Sequence, residues 1–189
     1  MKRSILDGKK ILVVDDEPDV LATVEEEIKM SCPSSKIDKA SSYEAAAQRL
    51  ETQTYDLVVL DIMGVRGFDL LELAVKSNLR VAMLTAHALT PEALKRSFEM
   101  KARAYLPKEK LGEIVPFLED VLTYEYLPGW KRLFSKLEGF FGEKFQNLQA
   151  GNKFWVEMRD KIKKMDYRFE LWLLKFVIRS HLISLPEFF

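Results

Sequence analysis

Asp15-Asp16, Asp61, Thr85 and Lys108 are the side chains here whose types could do chemistry as a set, because each stands at the end of a short apolar run. The runs are Ile11-Leu12-Val13-Val14, Leu57-Val58-Val59-Leu60, Val81-Ala82-Met83-Leu84 and Tyr105-Leu106-Pro107. The chemistry these types suit is phosphoryl transfer. A carboxylate can attack phosphorus and form an aspartyl phosphate. Beyond that, the reaction asks for positioning and charge neutralisation. Asp15 and Asp16 repel each other in one site, and a divalent cation relieves the repulsion. Mg2+ fits, since it takes one or two carboxylates plus phosphate oxygens. Lys108 can offer a point charge to phosphoryl oxygens, and Thr85 a hydroxyl donor.

These groups meet only if the runs are strands of one sheet. A short β-rich apolar run bounded by polar residues reads as a strand buried on both faces. In an open parallel sheet, ligands bind outside the carboxyl ends of the strands. Helix signals alternate with the runs from residue 9 to 122, the pattern of a doubly wound α/β domain. Strands are expected at Lys10–Val14, Lys36–Asp38, Asp56–Leu60, Arg80–Leu84 and Ala102–Leu106. One helix starts at Pro18 and carries Val20, Leu21, Val24 and Ile28 on one face. Others are expected at Tyr43–Glu51, Phe68–Lys76, after the Thr90 cap with Pro91 at its first position, and at Lys110–Leu122.

The composition changes near 123–129. Residues 123–189 hold 12 Lys/Arg against 8 Asp/Glu and all three Trp. The expected domains are therefore 1–122 and a small all-α C-terminal module, 123–189. Trp130, Phe134, Leu137, Phe141, Phe145 and Leu148 make one helical stripe, ended by Gly151. Phe154, Met158, Ile162, Met165, Phe169, Trp172 and Phe176 make a second, so a helical hairpin is expected. The segment Phe169–Ile178 is apolar almost all round and needs burial.

Across the chain 29 basic residues balance 29 acidic ones. With no helix-turn-helix cue and no zinc-ligand spacing, nucleic-acid binding is not expected. The single cysteine, Cys32, rules out an intramolecular disulfide. No uncharged apolar stretch is long enough to span a bilayer. The expectation is a soluble cytoplasmic protein that does not act at a membrane surface.

Val13-Val14-Asp15-Asp16-Glu17-Pro18, Leu60-Asp61-Ile62-Met63, Leu84-Thr85-Ala86 and Tyr105-Leu106-Pro107-Lys108 closely resemble the response-regulator receiver domain of two-component signalling. The resemblance covers residues 9–122. It implies a flavodoxin-like, five-stranded parallel sheet of order 2-1-3-4-5, with Asp61 as phosphoacceptor. It implies Mg2+ held by Asp15, Asp16, Asp61 and the backbone carbonyl of Met63, and Thr85 and Lys108 on the phosphoryl group. Tyr105 falls at the aromatic switch position, which acts together with Thr85. The implied donor is a histidine kinase or phosphotransfer protein. The implied readout face runs from Thr90 to Leu122, and a homodimer could form through it or through the C-terminal helices. Such a receiver modifies itself and turns over no external substrate. Two features depart from the family: the loop Gly64-Val65-Arg66-Gly67 is short and lacks proline, and Glu109 stands where proline often follows the lysine.

Each residue alone has an ordinary reading. Asp15 and Asp16 suit a helix N-terminus, Asp61 a loop, Lys108 and Arg66 a solvated surface, and Tyr105 a core. His87 reads as a loop residue, and His181 as a helix-end histidine rather than a kinase phosphoacceptor. Two rivals follow for the set: a receiver-like interaction module that takes no phosphate, and a phosphatase of the haloacid dehalogenase type. The latter wants a second aspartate where Met63 stands.

Overall fold

The computed structural model describes residues 4–86 and 91–150, with Glu157, Asp160 and Lys164. His87, Thr90, Gly151, the second helical stripe and His181 lie outside the described residues. Five strands form the sheet: β1 Lys10–Val14, β2 Lys36–Ala40, β3 Leu57–Asp61, β4 Val81–Thr85 and β5 Ala104–Pro107. All pairings are parallel and the order is β2-β1-β3-β4-β5. The helices are α1 Pro18–Ser31, α2 Tyr43–Thr52, α3 Gly67–Lys76, α4 Pro91–Glu99, α5 Ile114–Thr123 and α6 Tyr126–Ala150. α1 packs against α5, and α2 against α3.

The apolar runs are strands because they are covered on both sides. Ile11 to Val14, Leu57 to Leu60 and Val81 to Leu84 are all buried. The outer strand β2, Lys-Ile-Asp-Lys-Ala, is polar on its exposed positions and buries Ala40. Pro18 opens α1, where its missing N–H is unneeded. Ser42 caps α2 by accepting a hydrogen bond from the Ala45 amide at 3.2 Å.

Two segments depart from the sequence reading. The last helix of the domain does not begin at Lys110. Residues Lys108–Glu113 form a 3-10 segment in which Lys110 leaves helical geometry (φ −115°, ψ 22°), and α5 starts at Ile114. The change of composition near residue 123 coincides with the turn between α5 and α6, whereas the first compact unit reaches from Met1 to Phe140. Trp130, Leu133 and Leu137 of α6 explain why, since all three are buried within that unit. The second unit, Phe141–Phe189, is described for the end of α6 and three later helical positions.

Candidate functional site

The register sets the site as a staircase. Val14 is level with Leu60, so Asp15 and Asp61 leave their strands side by side. Asp61 pairs with Leu84, which puts Thr85 one step further out, and Thr85 pairs with Pro107, which puts Lys108 one step beyond that. Asp15, Asp61 and Thr85 are buried, at 0, 1 and 5 % exposure. Asp16 is exposed at the rim. Carboxylate oxygens of Asp15, Asp16 and Asp61 all lie within 4.8 Å of one another.

Lys108 reaches into this cluster. Its Nζ is 2.8 Å from Asp15 Oδ2, 3.1 Å from Asp61 Oδ1 and 2.7 Å from Glu17 Oε1. Burial disfavours the ammonium, but hydrogen bonds and charge from the three carboxylates outweigh it and hold the Lys108 pKa well above the usual lysine range. Asp15 also titrates above the ordinary aspartate range. Burial is the main cause, and the lysine, shared three ways, offsets only part of it.

Backbone amides orient the carboxylates. Asp61 Oδ2 accepts hydrogen bonds from the amides of Met63 (2.8 Å) and Gly64 (3.0 Å). Asp15 Oδ1 accepts one from the Glu17 amide at 3.0 Å. That leaves Asp15 Oδ2 and Asp61 Oδ1 buried, with the Lys108 ammonium as the partner they share. Two buried carboxylate oxygens that share a single ammonium, next to a third carboxylate, make a hard-oxygen donor set that fits a small divalent cation such as Mg2+.

The short loop is shaped by what it must clear. A Cβ on Gly64 would stand 2.0 Å from Asp16 Oδ1, and one on Gly67 would stand 1.9 Å from the Asp61 carbonyl oxygen. Arg66 between them takes a left-handed conformation (φ 54°). Its guanidinium pairs with Asp69 at 2.6 Å and lies over the Tyr43 ring, 4.2 Å from its centroid. Arg66 is thus engaged at the entrance to α3. The Met63 side chain is 70 % exposed, and its amide is what touches Asp61. Tyr105 is fully buried on β5.

Sequence reasoning named the acids, the hydroxyl and the lysine, and the fold brings them to one rim. It gave no role to Glu17, the closest partner of Lys108, although its place between Asp16 and Pro18 was a usable signal.

Comparison with known proteins agrees with this layout. A response regulator receiver domain from Methanospirillum hungatei has 22 % identity and TM-score 0.50, covering 59 % of this chain and 94 % of its own. A response regulator from Thermotoga maritima has 18 % identity and TM-score 0.55, over 61 % and 98 %. A LuxR-family DNA-binding response regulator from Staphylococcus aureus has 21 % identity and TM-score 0.56, over 61 % and 99 %. These likenesses establish the fold. No curated protein matches the chain significantly. The model of the response regulator receiver domain matches residues 11–118. A match over more than half of the chain, ending where α5 does its packing, settles the family: this protein belongs to the response regulator receivers.

Proposed function

We propose that Asp61 accepts a phosphoryl group from a histidine kinase or phosphotransfer protein in a Mg2+-dependent reaction, and that the chain relays this state through its helical C-terminal region without binding DNA. The observation that carries the proposal is Lys108 Nζ lying 2.8 Å from Asp15 and 3.1 Å from Asp61 at the rim of the sheet. An interaction module with no phosphate to bind has no need of a half-buried lysine amid three acids.

Asp61 has one oxygen fixed by two amides and the other turned toward Lys108. In the transfer an oxygen of Asp61 bonds to phosphorus as the phosphorus–nitrogen bond of the donor's phosphohistidine breaks, and the imidazole keeps the electron pair. Lys108 moves its charge from the carboxylates to a phosphoryl oxygen, and Thr85, one step out on β4, supplies a hydroxyl to another. Asp15, Asp16, Asp61 and the Met63 carbonyl would hold Mg2+, which neutralises charge on carboxylate and phosphoryl oxygens. The exposed Met63 side chain stands where an aspartate-nucleophile phosphatase needs an acid, which favours a self-modifying receiver over a turnover enzyme.

The test is acetyl phosphate with Mg2+ followed by intact mass. One labile phosphoryl adduct is expected on the native chain and none on Asp61→Ala. Steady release of phosphate without an adduct would point to a hydrolase instead.

A further inference from the structure

The face expected to read out the phosphoryl state, between α4 and α5 beside the edge strand β5, already has an occupant: the first half of α6. Trp130 is fully buried there. Its ring meets Phe98 of α4 edge-on (centroids 5.2 Å, 82°), and its Nε1–H donates to the Ala102 carbonyl at 2.8 Å. Tyr126 lies against the same Phe98 ring at 5.3 Å, and its hydroxyl donates to the Phe98 carbonyl. On the α5 side, Lys136 Nζ pairs with Asp120 at 2.7 Å and donates to the Pro116 carbonyl at 2.9 Å, while Arg132 pairs with Asp120 at 3.2 Å. One cavity of about 10 Å³ lies between α6, β5 and α5, beside Arg103, Phe117 and Leu133, barely enough for one water.

Two features make this occupancy suited to switching. First, β5 connects the two places directly. Trp130 and Arg103 anchor α6 at its amino end, where Arg103 Nη1 lies 3.8 Å from Glu125, and Lys108 follows its carboxyl end. The strand between has four residues at about 3.3 Å each. The backbone of Lys108 and the carbonyl that holds Trp130 are therefore joined by one short strand. Second, the first turn of α6 holds Leu127-Pro128-Gly129 and follows an extended Tyr124 (φ −101°, ψ 149°). Proline fits a first helical turn and glycine weakens it, so the helix can hinge there.

We infer that residues 126–137 of α6 form an intramolecular latch that closes the α4–β5–α5 groove to any second molecule, and that loading the Asp61 site opens it. The opening step rests on the phosphoacceptor reading above. What decides the inference is the solvent exposure of Trp130 and of the α6 backbone in the full-length chain.

The experiment uses full-length protein with Trp155→Phe and Trp172→Phe, leaving Trp130 as the sole tryptophan, excited at the red edge where tyrosine does not absorb. Beryllofluoride with Mg2+ serves as the phosphoryl analogue, and Asp61→Asn is the control. Acrylamide quenching of Trp130 is read beside hydrogen exchange of the 127–137 amides and of the Met63 and Gly64 amides. Beryllofluoride is expected to raise quenching and to speed exchange of 127–137 roughly tenfold, with no change in Asp61→Asn. Slowed exchange at Met63 and Gly64 with 127–137 unchanged would overturn the latch and leave the phosphoacceptor reading standing. No response at either place would overturn both. Arg132→Glu with Lys136→Glu, which cuts the surface ties to Asp120 and spares the buried tryptophan, is expected to raise Trp130 quenching without the analogue. If it leaves quenching unchanged, these residues are a fixed wall and the latch is wrong.

Discussion

Lys108 is the cation on which the pocket's acids lean. Its side chain is 11 % exposed, and Asp15 and Asp61 beside it are essentially buried. Removing one member of a buried ionic set leaves charge that nothing compensates, at a cost of about 3–5 kcal/mol. Lys108→Ala is therefore expected to lower the urea unfolding free energy by roughly 3 kcal/mol without metal. Millimolar Mg2+ should recover more of that loss in the variant than it adds to the native chain, since the ion restores positive charge to the folded state alone. Urea titrations of both proteins with and without Mg2+ check this; equal metal effects would show that the ion does not stand in for the Lys108 charge, and no effect in either that the cluster does not bind it. The acids, the hydroxyl and the lysine were readable in the sequence because such groups are conspicuous at the ends of apolar runs. Glu17 was marked only by its place beside Asp16, and Gly64 only as a loop residue. The role of Glu17 depends on the rotamer that brings it to Lys108, and that of Gly64 on the close approach of Asp16.

The strands that carry the site are tied together at their far ends by a second set of charges. Asp56, just before β3, accepts from Lys9 Nζ and from the Lys10 amide, both at 2.9 Å. Burial works against its ionised form, yet the Lys10 amide and the Lys9 ammonium prevail and hold its pKa below the usual aspartate value. Asp38 on β2 is likewise lowered against the pull of burial, by the Tyr55 hydroxyl at 2.8 Å and by Lys10. A depressed carboxylate adds stability above its unfolded pKa, near 4, and that stability is lost as pH falls through the lower folded value. Acid titration of the unfolding midpoint should fall from about pH 4 downward, and Asp56→Asn should flatten the slope. Tyr55, pushed up to about 12 by burial and by Asp38, acts at the other end. Its stabilisation is present below about pH 10 and is lost as pH rises toward about 12. The apolar strands were legible because burial on both faces demands unbroken hydrophobic runs. The 3-10 segment after β5 was not, because Lys-Glu-Lys-Leu-Gly-Glu favours a helix locally and the departure at Lys110 is set by its surroundings.

At the scale of the whole chain, the tail aromatics divide between two compact units. The first stripe predicted Trp130 and Leu137 as buried and missed Leu133, which fills the turn between them. Composition alone marked residue 123 as a boundary because charge and aromatic content change there, but contact across a groove leaves no trace in composition. Trp130→Ala is expected to cost about 3–5 kcal/mol by the loss of a fully buried indole, with Trp130→Phe costing much less. Thermal melts of the two variants check the ranking; equal losses would mean that the Nε1–H bond to Ala102, not the packing, dominates.

The same tryptophan bears on how this domain can be recombined with others. A chimaera joined at Thr123 would hand its new effector a sheet whose flank, from Phe98 to Phe117, is stripped of its cladding. The transplantable cassette runs through Leu137, so whatever is grafted after it inherits, as long as the groove stays covered, an orientation dictated by the cassette's own last helix.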